Sequence, residues 1–319
     1  MGAGNGVGVE NVIIKNTIRT RAKRLEHPET VAQNTSVSIN LVEFDDVAYR
    51  LQADVNEPSK LTLLMALPPQ TTPVSVSEGV LGAIRAQYGS VAKVVLPTAG
   101  FQIAIEISLD AIPRGSEAEF DNMVTKIASF RSVVMGAPLK AQLELLSKGA
   151  CVEGPLIAVP HRTSEAFFVK PQADSVTVLF PMRFKDANDA TIAATFLSEF
   201  AEARRGSATL STAPACSYSK APPRELMQAG PIAQGANGGY VSFVLFARHV
   251  TGKDRLEEST WRLGTFYAFI NYHIKCSKAH MHSRMRRRTQ SLMQVLNRAK
   301  PDTLKEKKTA TGRTFVRNT

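Results

Sequence analysis

The stretch Phe101-Gln102-Ile103-Ala104-Ile105-Glu106-Ile107 decides the architecture. Bulky apolar side chains recur at every second position, the period of a strand with one face on a core. Working outward, Val37, Ile39 and Leu41 alternate with polar residues, and Val47, Tyr49 and Leu51 do the same after Asp45-Asp46, which reads as a turn. Leu61 to Leu67 is a further strand ended by Pro68-Pro69. Between these strands and the decisive one, Val80, Leu81, Ile84 and Tyr88 keep helical spacing. After it, Phe120, Met123, Val124, Ile127, Phe130 and Val134 share one face of a longer helix, which Pro138 should break or kink because proline lacks the backbone donor.

The second half repeats this order. Leu156 to Val159, Ala166 to Val169 and Val176 to Phe180 read as strands. Thr191 to Ala203 reads as an amphipathic helix carrying Ile192, Phe196, Leu197 and Phe200, and Tyr240 to Phe246 as a closing strand. Residues 206–239, rich in Pro and Gly, form a connection expected to pack as an ordered loop around the second half. The fold class that follows is α+β: two tandem related modules of mostly antiparallel sheet with helices, then a long C-terminal α-helix. The expected organisation is a flexible, glycine-rich start and short helix in 1–36, a first module in 37–150, a second in 151–252, and a basic helix and tail in 253–319. The short helix spans Val9 to about Arg24, with Val12, Ile13 and Ile18 among basic residues.

From Asp254 to about Lys300 there is no proline and one glycine, Gly264. Leu256, Leu263, Phe266, Tyr267, Ile270, Ile274, Met281, Met285, Leu292 and Leu296 fall mostly in steps of three, four or seven, which predicts one helix of roughly 45 residues and about 65–70 Å. So long a helix overhangs a small module, and its apolar stripe calls for a second helix from outside the chain. The same segment carries the charge. The chain's net +11 resides entirely in residues 253–319, where 16 Lys and Arg face 5 Asp and Glu; the preceding residues hold 23 of each sign. A one-sided field of this kind attracts an acidic surface. Arg284, Arg286, Arg287 and Arg288, flanked by Lys275, Lys278, Arg298 and Lys300, are its centre. A nucleic-acid-binding protein is the rival reading, but no aromatic residue interleaves with these arginines for base stacking, and no RRM, KH or zinc-finger pattern accompanies them.

Signals for chemistry are weak. His273, Cys276 and His280 share a helix face at spacings a metal could use, yet no carboxylate lies near in sequence, and a polar interface seam is preferred. Asp186 and Asp189 suit a helix start, where negative charge complements the dipole, better than a catalytic pair. There is no GxSxG elbow, P-loop or HExxH, so the expectation is a protein without enzymatic activity, cofactor or metal. Cys151, Cys216 and Cys276 are far apart and read as buried or half-buried free thiols. No apolar run approaches the roughly 18–20 residues that span a bilayer and no signal peptide is recognisable, so a cytosolic location away from membranes is expected.

Three blocks resemble a known family. Phe44-Asp45-Asp46-Val47-Ala48-Tyr49, Asp174 to Phe180, and Glu199-Phe200-Ala201-Glu202-Ala203-Arg204-Arg205 look like successive segments of second subunits of the actin-related protein 2/3 complex. The segment His273 to His282, running through Arg284-Met285-Arg286 and Val295 to Asp302 to Thr311-Gly312-Arg313-Thr314-Phe315, is closer still. The resemblance implies a non-catalytic core scaffold of the actin cytoskeleton that supports filament nucleation and branching. Its long helix would pair with subunit 4, the pair would hold the two actin-related proteins and other subunits, and the same surface would contact the side of the mother actin filament. On this resemblance Arg204, Arg205, Lys275, Lys278, Arg284 and Arg287 are candidates for filament or partner contact. Leu263, Phe266, Ile270 and Ile274 are candidates for the subunit interface.

Overall fold

In the computed structural model the described residues are 10–27, 35–43, 47–68, 77–162, 165–298, 307–308 and 314–315. The glycine-rich start, the Asp45-Asp46 turn and most of the tail lie outside them. The chain divides into two units, Met1–Asn271 and Tyr272–Thr319.

The first unit is built on two five-stranded antiparallel sheets. β1 (Val37–Glu43), β2 (Val47–Ala53), β3 (Lys60–Ala66), β4 (Ala92–Val95) and β5 (Ile103–Ser108) form the first, in the order β1-β2-β3-β5-β4. β6 (Ile157–Arg162), β7 (Glu165–Pro171), β8 (Ser175–Pro181), β9 (Ala215–Ser219) and β10 (Tyr240–Phe246) form the second, in the order β6-β7-β8-β10-β9. The two orders are the same. In each, a helix follows the third strand: α2 (Glu78–Tyr88) in the first, and α5 (Ala187–Gly206) in the second. The repeat legible in the order of elements is therefore a repeat of topology.

Alternation sets the registers. Leu61, Leu63 and Met65 on β3 oppose Ile107, Ile105 and Ile103 on β5, and all six are buried. A one-residue slip would turn this apolar set to the other face. The helices α1 (Val12–Leu25), α2, α3 (Glu117–Ala128) and α4 (Phe130–Ser147) contribute Ile14, Ile18, Ile84, Tyr88, Phe120, Val124, Ile127 and Phe130 to the same core. α1 is held along α3 by ion pairs of Arg19 and Lys15 with Asp121 and by the Asn11 N–H donating to the Ala128 carbonyl at 2.9 Å.

The expected single helix from Phe120 to Val134 is two helices. The Ser129 hydroxyl and its N–H both donate to the Thr125 carbonyl, and φ −93°, ψ 23° take this residue off the helical path. Pro138, expected to break the helix, lies inside α4. Its missing donor costs about 3 kcal/mol, and burial of Leu139, Leu143 and Leu146 beyond it outweighs that. α4 then packs against both α2 and α7 (Lys253–Gly264), joining the two halves of the first unit. A Cβ on Gly136 of α4 would come 3.2 Å from the buried Thr260 methyl of α7.

The second sheet has both faces covered. On one, Phe167 stacks on Phe180 with ring centroids 5.3 Å apart, and Phe243 meets Phe180 edge-on. On the other, Phe168, Leu179 and Tyr240 pack with Leu226, Ala233 and Ile232 of the 206–239 connection, which is the ordered loop expected there. That segment also contains β9, which its Pro and Gly content hides. The loop returns to β10 through Gly239, whose φ of +85° and approach to Tyr218 exclude a side chain: a Cβ would sit 2.5 Å from the ring.

Candidate partner-binding helix

After β10, one short turn, α6 (Ala247–Val250), leads into α7 and then α8 (Phe266–Arg298). The sequence predicts one helix here and the structure has two. Thr265, after Gly264, adopts φ −107°, ψ 4°, and both its N–H and its hydroxyl donate to the Trp261 carbonyl. α8 alone, at 1.5 Å per residue, is still about 50 Å long.

Its first two turns are spent on the chain's own core. Phe266 lies 4.8 Å from Phe180, 5.0 Å from Phe243 and 5.8 Å from Phe200 between ring centroids. Tyr267 donates its hydroxyl to the Arg183 carbonyl and accepts from Arg162 at 3.1 Å. Leu263 and Ile270 are buried as well, and so, in the second unit, is Ile274. These four residues, expected at a subunit interface, are all buried in the chain. Helical spacing reports that a face is covered, not which chain covers it.

From Ala279 to Arg298 every side chain is exposed. Met285 is 57 % accessible, Leu292 59 % and Leu296 55 %, and Met281, Met293 and Val295 are exposed too. At 100° per residue, Met281, Met285, Leu292, Val295 and Leu296 fall within an arc of roughly 100°, continuous with the line through Ile270 and Ile274. Arg284, Arg287 and Arg298 form a basic flank beside that stripe, Arg288 falls within its arc, Lys278 lies at its edge, and Lys275 and Arg286 lie on other sides of the helix. Lys275, Arg284 and Arg287 are exposed and Lys278 is half-buried. Arg204 and Arg205 occupy the last turn of α5; their side chains lie outside the described residues. Sequence periodicity already marked Met281, Met285, Leu292 and Leu296. What it lacked was the information that the aromatic turn before them is already occupied.

Other candidates resolve simply. Among the described residues no three His, Cys, Asp or Glu side chains stand close enough to hold a metal ion, His273, Cys276 and His280 included. Cys276 is exposed, correcting the expectation of a half-buried thiol. Cys151 is buried, and burial pushes the Cys216 thiol up to about 12. Asp186 caps α5, accepting from the Asn188 N–H at 2.8 Å, with Asp189 in the first turn. No described helix is long and apolar enough to cross a membrane.

Sequence reading missed a buried polar cluster between α4 and the second sheet. His161 on β6 is buried, and desolvation, followed by the charges of Arg131 and Arg162, lowers its imidazole to about 3. Its 3.8 Å approach to Glu165 is therefore a contact of a neutral ring rather than an ion pair at neutral pH. On the other side Tyr49 donates to Glu43 at 2.8 Å; burial raises the Glu43 carboxyl, partly offset by that hydrogen bond and by Arg131. Arg131 of α4 is the charge common to both groups.

Comparison with known proteins decides the family. The model of the Arp2/3 complex 34 kD subunit, p34-Arc, matches residues 72–303. The chain belongs to the p34-Arc family. The match takes in α2 through the whole of α8. Actin-related protein 2/3 complex subunit 2A of Arabidopsis thaliana is 42 % identical over 299 residues, 90 % of this chain and 91 % of its own length. Subunit 2 of Schizosaccharomyces pombe is 34 % identical over 300 residues, 89 % and 92 % of the two chains, and that of Dictyostelium discoideum is 33 % identical over 282 residues, 86 % and 90 %. The p34-Arc likeness thus extends over nearly the full length of both partners in each comparison.

Proposed function

We propose that this chain is a non-catalytic core scaffold subunit of the Arp2/3 complex, supporting nucleation and branching of actin filaments and lying against the side of the mother filament. One observation carries the reading: α8 ends in twenty consecutive exposed residues with an apolar stripe along one side. Most helical stability in proteins comes from packing an amphipathic face, and these twenty residues have none of it within the described chain. The stripe and family membership together support a partner helix laid alongside it, supplied by subunit 4, with the residues Met281, Met285, Leu292, Val295 and Leu296 as the contact. In this reading residues 37–150 and 151–252 are the two modules of the scaffold, residues 253–319 the assembly arm, and the two actin-related proteins and the remaining subunits are its further partners. The protein works in the cytoplasm, on the actin cytoskeleton.

The positive field serves contact with an acidic polymer. Lys275, Lys278, Arg284 and Arg287 on α8, with Arg204 and Arg205 at the end of α5, are the proposed filament or partner contacts. Arginine suits this role because its planar fork grips carboxylates in two hydrogen bonds. The test is recovery of the tagged chain from its own cells with identification of stoichiometric partners, followed by co-sedimentation with actin filaments across a salt series. The reading expects two actin-related proteins with several smaller subunits, and filament binding that weakens with salt and with charge reversal at Arg204 and Arg205. Recovery of the chain alone, or with nucleic acid, overturns it.

A further inference from the structure

The arginine run of α8 places a hydroxyl in a setting that the scaffold role does not use. Ser291 follows Arg286 by five residues and Arg288 by three, and it precedes Leu292. Protein kinases that select basic substrates bind such arginines through acidic pockets and seat an apolar residue just after the acceptor; the pairing is the carboxylate–guanidinium recognition that makes arginine specific. Sequence alone makes this a short motif of low specificity. One structural observation strengthens it. All of Ser291, its arginines and Leu292 are exposed.

The consequence of modification follows from helical geometry. Ser291 stands three residues after Arg288 and four after Arg287, the spacings at which helix side chains are neighbours. It shares the basic flank with Arg284 and Arg298 and lies off the Met285–Leu292–Leu296 stripe. A phosphate there carries a charge of about −1.5 to −2 at neutral pH and can accept bidentate hydrogen bonds from both arginines. We propose that Ser291 is a phosphoacceptor for a basic-directed serine/threonine kinase, and that its phosphate neutralises the basic flank of α8 while leaving the apolar stripe intact. In the transfer, the Ser291 oxygen bonds to the γ-phosphorus of ATP as the bond from that phosphorus to the β,γ-bridging oxygen breaks. ADP leaves with the electron pair, and the hydroxyl proton passes to the kinase's catalytic carboxylate.

The proposal does not depend on what the stripe docks against, and its test reads charge rather than assembly. The full chain is incubated with ATP and a purified kinase of this specificity, the phosphorylated residue is mapped by mass spectrometry, and the product is run on a cation-exchange column. Expected are one phosphate at Ser291, elution at lower salt than the unmodified chain, loss of both effects in S291A, and slower labelling of an R286A/R288A variant. Thr289, which also has arginines three and five residues before it, tests the assignment: its hydroxyl is engaged with the Met285 carbonyl at 3.0 Å. Absence of label, label confined to Thr289 or another residue, or Ser291 phosphorylation with unchanged elution would each overturn the proposal.

Discussion

The two ends of α8 read alike in sequence and behave oppositely in space. Phe266 and Ile270 are 5 % and 0 % accessible, Met285 and Leu292 57 % and 59 %. Both pairs obey the same helical spacing. The difference lies outside the helix: the second sheet offers Phe180 and Phe243 to the first turns, whereas Ala279 to Arg298 are exposed throughout. Periodicity therefore states that a face wants a cover, and only the tertiary structure says where the chain's own cover ends.

The contrast predicts very unequal costs of substitution. Phe266→Ala should lose about 3–5 kcal/mol of stability, as expected for removing a ring from a packed aromatic cluster. This can be measured from denaturant unfolding midpoints. If Met285→Ala costs as much in the same assay, the division of the helix into a buried and an exposed end fails.

Acid should act on the core side alone. His161 is held neutral by burial, with its imidazole lowered to about 3 against an unfolded value near 6.5. A depressed histidine contributes stability fully above the unfolded value and loses it as pH falls from about 6.5 toward 3, because the unfolded chain takes up the proton first. The loss should reach a few kcal/mol. A His161→Phe variant should show a flatter acid limb in unfolding midpoints followed from pH 7 to pH 4; an unchanged limb would assign the acid sensitivity elsewhere.

A smaller effect tests the roof over the second sheet. Gly239→Ala forces a side chain into a backbone at φ +85° and within 2.5 Å of Tyr218, costing about 1–3 kcal/mol. The expected signature is faster proteolysis within residues 206–239 ahead of global unfolding. Equal protection in variant and parent would show that the turn tolerates a side chain.

Much of the fold was legible because its strands alternate cleanly. Ile103, Ile105 and Ile107 point one way, and β5 sits inside the first sheet as that pattern requires. β9 was not legible: its five residues, Ala215 to Ser219, are mostly small and alternate no apolar set, and they pair at the edge of β10 inside a Pro- and Gly-rich segment. The helix breaks at Ser129 and Thr265 arise from local hydrogen bonds of hydroxyl side chains that interrupt no apolar pattern. Pro138 shows the reverse case, a strong local signal overruled by burial. Of the site, the basic run and the stripe were visible. Its boundary was not, since the aromatic partners of Phe266 come from residues about 20 to 90 positions away in sequence.

The smallest expected change in stability gives the most direct test of the central claim, that the exposed end of α8 is an assembly surface. The triple variant Met285→Gln, Leu292→Gln, Leu296→Gln should unfold within about 0.5 kcal/mol of the parent, because exposed side chains contribute little to the folded chain alone. The measurement is the set of stoichiometric partners recovered with the tagged variant compared with the tagged parent. The account predicts an intact, folded chain that recovers none of them; full recovery of the parent's partners by the triple variant would contradict it.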